Sequence, residues 1–548
     1  MNFRKSILLS ATIMGAVATS AQALQDSNSS DETSLVRVSG VGQLDGLVDQ
    51  ARLAELDLPQ AIEALNNGTI TSESLVLSYL DRIARHNNTG HRLNAVITVN
   101  PDAVAFARAL DQERRSGNIR GAMHGVPVLL KDNIESDDNM PTTAGSSALR
   151  DNFTGRDSPL AAKLAENGAI ILGKANLSQW ANFRSTDSNS GWSALGGQVK
   201  NPHILDRNPC GSSSGSGVAV AASFVPAAVG TETNGSIICP SNAAGIVGFK
   251  PSVGVISQQY IIPISASQDT AGPMNKTVRG AAIMMNAMTD RSDFTDHLSP
   301  DQLQGVRVGV LRYAEGGNQR IKAVFDAALS DLEAAGAVLV EITERPERPE
   351  GYGQKAYDLL KYEFKAGLND YLAGLDTDTG IKTLDDLIAF NDQSDVEQTL
   401  FGQDIFTASN AMGSLSDQAY LDAKQLVQTA TRAGGIDALM EQYDVKLLVA
   451  PSGPIVPRRD SINGDVWPEF PGAGSMAARA GYPHITVPMG GYRYLPLGLS
   501  FIAGGGDDAE VLGWAYAYEQ LSQRRLDPQY FPSATAIPEI AAAVELGD

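Results

Sequence analysis

Cysteine, histidine and positive charge are all scarce in this chain. Two cysteines, Cys210 and Cys239, and six scattered histidines offer no zinc-binding spacing, and no metal site is expected. Lysine and arginine number 42 against 63 acidic residues, a net charge of −21. That balance lacks the basic footprint a nucleic-acid partner requires. No long Pro/Gly/Ser tract, charge block or repeat divides the 548 residues. With 43% hydrophobic and 19% charged residues, the composition is that of a globular protein with a large core.

The first segment reads as an address. Arg4 and Lys5 precede a largely apolar run, and Ala21-Gln22-Ala23 is a small-x-small cleavage site. A signal peptide is expected over residues 1–23, too short in its apolar run to span a membrane comfortably. This predicts a periplasmic or secreted protein with no stable membrane insertion after cleavage. Residues 24–55 read as a loose polar arm.

Beyond it, apolar residues at helical spacing predict helices over 58–66, 72–85, 102–112 and 157–166, with Thr71 or Ser72 as an N-cap. Short apolar runs predict strands over 93–99, 125–131, 169–172, 226–230, 306–311, 337–342, 446–450, 484–487 and 499–502. Helices are expected over 218–224, 321–335 and 508–523. Residues 345–443 read as a more polar, mostly helical insertion or lid. The alternation predicts an α/β protein: a mixed sheet covered by helices on both faces.

One stretch stands apart. From Pro209 to Pro251 the chain is rich in Gly, Ser and Ala, and only Glu232 and Lys250 carry charge. Such a segment belongs inside, with backbone close to backbone. It nevertheless contains two hydroxyl-bearing turns, Gly211-Ser212-Ser213-Ser214-Gly215 and Thr233-Asn234-Gly235-Ser236, and buried hydroxyls need partners. The second turn could aim successive backbone N–H groups at one point, as an oxyanion hole does; it could also be a plain tight turn. The Asn234-Gly235-Ser236 sequon is set aside because its context reads as buried. The first turn formally fits G-x-S-x-G with Ser213 as nucleophile. The residues before it read as loop rather than strand, and only His297 and His484 follow. Lys131 ends an apolar strand. Desolvation there would lower its pKa and let it act as a base; a surface lysine, or a pair with Asp132, is the competing reading. Cys210 and Cys239 could pair, but two separate buried side chains are slightly favoured, since spacing alone does not supply disulfide geometry.

Taken together, H-G-V-P-V-L-L-K-D-N, C-G-S-S-S-G-S-G, G-T-E-T-N-G-S-I-I-C-P and V-G-F-K-P resemble the amidase signature family. T-T-A-G-S-S-A-L, A-G-Y-P-H-I-T-V-P and L-P-L-G-L-S-F-I-A-G extend the likeness over residues 58–523, with the helical middle matching least. The resemblance implies a single large domain, residues 56–548, around a mixed twisted sheet, and hydrolysis of amides by a Ser–cis-Ser–Lys triad without metal or cofactor. By position, Ser236 would be the nucleophile, Ser212 the middle serine and Lys131 the terminal base. The N–H groups of Thr233, Asn234, Gly235 and Ser236 would hold the oxyanion. Two positions depart from the family: Asn234 stands where Gly is usual, and Ile238 where Arg is common. Thr186, Ser188 and Trp192 are expected near the acyl pocket, although Trp192 reads equally well as core. Within the family, R-N-P-C-G-S-S-S-G-S-G and P-I-S-A-S-Q-D-T-A-G-P-M resemble bacterial peptide amidases, which implies a C-terminal peptide amide as substrate. A broader amidase for aryl, fatty-acid or small carboxamides, and an inactive binder with the same fold, are the alternatives.

Overall fold

Several strand-forming runs are apolar without alternation, so they need cover on both faces. Pro127–Lys131, Ala227–Glu232, Thr270–Asn275 and Leu447–Pro451 bury every residue. In the computed structural model of the protein they belong to one eleven-stranded sheet with helices packed against it. The structure describes residues 52–377 and 379–544, and the backbone alone at 35–36 and 48–51. The expected signal peptide and most of the polar arm lie outside the described residues. The arm's last residues, Gln50–Glu55, are helical rather than irregular, and Glu55 pairs with Arg82 at 3.0 Å. Residues 51–548 form one compact unit.

The strands, in chain order, are β1 Val96–Val99, β2 Pro127–Lys131, β3 Ile170–Ala175, β4 Ala227–Glu232, β5 Val247–Lys250, β6 Thr270–Asn275, β7 Arg307–Leu311, β8 Val338–Ile342, β9 Leu447–Pro451, β10 His484–Tyr492 and β11 Leu495–Ile502. Across the sheet they run β8-β7-β9-β11-β10-β5-β6-β4-β2-β3-β1. β3, β2 and β4 are mutually parallel, as are β8, β7 and β9. The strands between these patches pair antiparallel. Because β2 and β4 are parallel neighbours, their C-terminal ends, Lys131 and Thr231-Glu232, emerge side by side.

β5 and β6 are absent from the sequence reading. β6 is Thr-Ala-Gly-Pro-Met-Asn, a poor match to β-branched preference. It is held by closeness instead: a Cβ on Gly272 would meet the Phe249 carbonyl oxygen at 2.0 Å. β3 runs past its expected end at Leu172 to take in Lys174, whose buried amine is satisfied by the Ile134 carbonyl and by Thr142 Oγ1.

Two short helices frame the small-residue stretch, α1 Ser214–Ala221 and α2 Ile238–Ala244, both buried throughout. Residues 345–443 are mainly helical, with α3 Tyr352–Ala373 and α4 Asp404–Asn410 carrying aromatic side chains inward. Phe364 and Phe406 pack on Phe183 and Trp180, at ring-centroid distances of 5.0 and 5.8 Å. One ion pair reinforces this contact. Arg184 and Glu397, both buried, meet at 2.8 Å. Glu397 also accepts from the Ser147 N–H and Oγ, at 2.8 and 2.5 Å, and from Gln179 Nε2. Arg184 donates to the Phe401 carbonyl and lies over the Phe401 ring. Glu397→Ala would leave Arg184 buried without its carboxylate, and breaking such a pair costs about 3–5 kcal/mol. A guanidinium unfolding titration should record a loss of that size, well beyond that of an exposed pair such as Arg85–Asp81.

Candidate active site

Lys131 is the last residue of β2 and is fully buried. Its Nζ lies 2.8 Å from Ser212 Oγ, 2.8 Å from Thr231 Oγ1 and 3.2 Å from the Thr231 carbonyl oxygen. Asn133 Nδ2 donates to the same Thr231 hydroxyl at 3.1 Å. Asp132, the alternative partner considered from sequence, turns away and accepts from Thr143 Oγ1 and from the Thr143 and Ala144 region of the chain. Burial pushes the Lys131 amine down to about 7, against a smaller upward pull from Asp269 and Glu232. The geometry suits the neutral form. The Thr231 carbonyl can only accept, so it takes an N–H, and the lone pair is free to receive the Ser212 hydroxyl proton.

Ser212 follows a cis peptide bond to Gly211. Ser213, the formal elbow serine, donates its hydroxyl to the Thr231 carbonyl and accepts from the Thr231 N–H. Its oxygen is occupied in the sheet. The Ser213 N–H in turn donates to the Ser236 carbonyl at 3.1 Å, which brings the two hydroxyl turns together. A disulfide joins them as well. Cys210 and Cys239 are bonded, with Cα atoms 5.8 Å apart, contrary to the expectation of two separate side chains. The fold supplies the proximity that 29 residues of sequence separation conceal.

Ser236 is largely buried, and its hydroxyl takes no hydrogen bond from the protein among the described residues. The turn before it is held from outside. Glu232 Oε2 accepts from the Ile237 and Ile238 N–H groups at 2.8 and 3.0 Å. Thr233 Oγ1 donates to Asp269 Oδ1 at 2.5 Å, and Gln268 Nε2 donates to the Thr233 carbonyl at 3.1 Å. Asp269 also receives the Ile264 and Ser265 N–H groups, and burial raises it to about 6. No loop or side-chain acceptor takes the N–H groups of Thr233, Asn234, Gly235 or Ser236 among the described residues. The left-handed position in this turn is Gly235, at φ +83°, rather than Asn234. Asn234 is therefore under no conformational stress where the family usually has Gly.

The turn opens on a cavity of about 360 Å³ bordered by Asn182, Ser190, Gly211, Gly235, Asp465 and Trp467. Asn234 is exposed there, its amide bonded to Ser475 Oγ at 3.2 Å, which corrects the buried context inferred from its neighbours. Ile238 stands at the cavity wall where the family commonly has Arg. The expected pocket residues lie elsewhere. Thr186 is bonded to Asp404, Ser188 to the Ser185 carbonyl, and Trp192 packs its edge on Phe401. Thr186 and Trp192 brace the contact between their loop and the helical segment, Ser188 bonds within the loop itself, and none of the three borders the cavity. Asn182 and Ser190 from the same loop do. Thr231, Asn133, Gln268 and Asp269 are further partners of the site that no sequence motif singles out. The nearest signals are the position of Asn133, two residues from Lys131, and the place of Gln268-Asp269 inside the motif P-I-S-A-S-Q-D-T-A-G-P-M. Among the described residues no three His, Cys, Asp or Glu side chains converge as a metal-binding group would.

A mixed eleven-stranded sheet with a buried lysine, a cis-linked serine and an open N–H turn defines the class, and the chain belongs to the Amidase family, whose model matches residues 74–512. It is an amidase, a hydrolase of amides. Among solved structures it resembles the native peptide amidase from Stenotrophomonas maltophilia, with 42% identity, a TM-score of 0.82, and coverage of 87% of this chain and 99% of that one. An amidase family protein from Bacillus anthracis is 33% identical with a TM-score of 0.78, covering 88% and 93%. One component of the glutamyl-tRNA(Gln) amidotransferase of Halorhodospira halophila is 32% identical over 493 residues, 84% of this chain and 96% of its own.

The disulfide closes the loop that carries both hydroxyl turns. A cross-link over 29 residues removes about 3–4 kcal/mol of denatured-chain entropy. Cys210→Ser/Cys239→Ser should lower the guanidinium midpoint by a corresponding amount, and reductant should shift the wild type but not the variant.

Proposed function

We propose that this amidase hydrolyses the C-terminal carboxamide of peptides to the acid and ammonia, with Ser236 as nucleophile, Ser212 as proton relay and Lys131 as base. The observation that carries the reading is the buried Lys131 amine, 2.8 Å from Ser212 Oγ and lowered to about 7 by desolvation. In this scheme neutral Lys131 accepts the Ser212 proton as Ser212 takes the proton of Ser236, and Ser236 Oγ attacks the carboxamide carbon. The N–H groups of residues 233–236 receive the oxyanion, an interaction worth about 2.7–4 kcal/mol per donor in related chemistry. The proton returns through Ser212 to the leaving nitrogen, which departs as ammonia. Water then attacks the acyl ester by the same route, and the acid is released. The likeness to a protein named as a peptide amidase supports the substrate class. An export leader at residues 1–23 would carry the enzyme to the periplasm or beyond, where free peptides are accessible.

The test is ammonia release from amidated peptides, with mass spectrometry of the product. Ser236→Ala should reduce turnover by about 10⁶-fold, the scale at which loss of a nucleophile leaves only binding and oxyanion contributions. Turnover confined to anilides or fatty amides would keep the triad and replace the substrate. The pH profile tests the base independently. Protonated Lys131 cannot accept a proton, so kcat/KM should rise through about pH 7 and level off above it. A flat profile from pH 5 to 9 would reject lysine as the base.

A further inference from the structure

Among the described residues the cavity at the turn is bordered by a single charged side chain, Asp465. Asp465 Oδ1 accepts from Asn208 Nδ2 at 2.7 Å and from the Ser190 N–H at 3.1 Å. Those two bonds fix the side chain to the stretch leading into Cys210 and to the loop at Ser190. Oδ2 accepts no well-formed hydrogen bond among the described residues, although the Ser190 hydroxyl lies near enough to help hold the carboxylate, and Asp465 forms no ion pair there. A carboxylate needs one acceptor oxygen to tether a loop; here a second is left over beside the cavity. Burial raises the carboxyl above its usual range, against the smaller pull of the Ser190 hydroxyl and N–H and of the Asn208 amide.

The walls beside it are aromatic. Trp467 and Phe470 border the same cavity and meet edge to face at 5.4 Å. Phe470 is 54% exposed, so its ring is open to a ligand. A partly desolvated carboxylate next to open rings is suited to an organic cation, which gains a charge-assisted hydrogen bond and a cation–π contact together. Among the described residues no lysine or arginine borders the cavity to compete. With ammonia as the leaving group, any larger group in the cavity belongs to the acyl part of the substrate. The net charge of −21 would favour encounter with a cation at low ionic strength.

We propose that Asp465, Trp467 and Phe470 form a cation-selective subsite for the acyl part, so that carboxamides bearing an ammonium or guanidinium group, as in amidated lysine or arginine, are preferred. The inference rests on the amide hydrolysis proposed above. Its test compares kcat/KM for N-acetyl-arginine amide, N-acetyl-norleucine amide, N-acetyl-glutamate amide and norleucine amide with a free α-amine. Wild type should favour the arginine substrate over N-acetyl-norleucine amide by about 10- to 100-fold, the usual worth of a hydrogen bond to a charged partner. Asp465→Asn retains the acceptor that ties the loop, and this ratio should collapse toward one; Asp465→Lys should move the preference to the glutamate substrate. An advantage confined to norleucine amide and lost in Asp465→Asn would identify the cation as the α-ammonium. A ratio unchanged in Asp465→Asn, or equal losses on all substrates, would overturn the proposal and leave Asp465 a tether. Calorimetry with Ser236→Ala separates this from failure of the amidase reading. Binding of N-acetyl-arginine amide that weakens on adding Asp465→Asn upholds the subsite even if no peptide amide is turned over. Turnover with no charge dependence in rate or binding rejects the subsite alone.

Discussion

The constraint on which the rest of this structure depends is the burial of one amine. Lys131 sits fully inside the protein at the end of β2, where an ammonium would be costly. Burial drives the amine toward its neutral form, and three polar atoms, two on Thr231 and one on Ser212, lie within hydrogen-bond distance of it. Thr231 is available because β4 is the parallel neighbour of β2. Ser212 is available because α1 begins just beyond it and packs on β4. The site is thus a consequence of sheet order: exchange β2 or β4 with another strand and the amine loses its partners.

The small-residue stretch is the second requirement. A Cβ on Gly215 would lie 2.2 Å from the Asn176 carbonyl oxygen and 2.4 Å from that of Ala95. The loop bearing Ser212 can therefore approach the sheet only because no side chain intervenes. The same closeness lets Ser213 bond the Thr231 backbone and the Ser236 carbonyl. Around this floor stand further buried charges with their own partners. Lys250, lowered to about 8 by burial, donates to the Pro251 carbonyl. Glu232 caps the start of α2.

The sheet strands with continuous Val, Ile and Leu runs are legible in the sequence, as are the helices with clear N-caps such as Thr71. β5 and β6 are not, because glycine and proline positions speak of close approach and not of strand preference. Lys131, Ser212, Ser236 and the turn at Thr233–Ser236 can be named from their motifs. Their partners cannot, since Asp269 and Thr231 reach them through space along β6 and β4. The cavity wall is the least readable part. Asp465 and Trp467 come from a loop far along the chain. Thr186 and Trp192, near the site in sequence, turn instead toward the helical segment, and Ser188 bonds within its own loop. The cysteine pair illustrates the same limit, because contact across 29 residues is a property of the fold.

The Arg184–Glu397 pair has a consequence for how the chain is made. The two residues are separated by 213 positions, and the loops at Ser147 and Gln179 converge on the same carboxylate. During synthesis the sheet strands β1 to β8 emerge before Glu397 does. Until it arrives, Arg184 lacks this counter-charge, and Trp180 lacks Phe406 of α4, whereas Phe364 of α3, which packs on Phe183, is already made. Closure of so long a loop is slow compared with local helix formation. The contact of the helical segment with the Arg184 loop is thus among the long-range contacts of this fold, spanning 213 positions, whereas its helices are local.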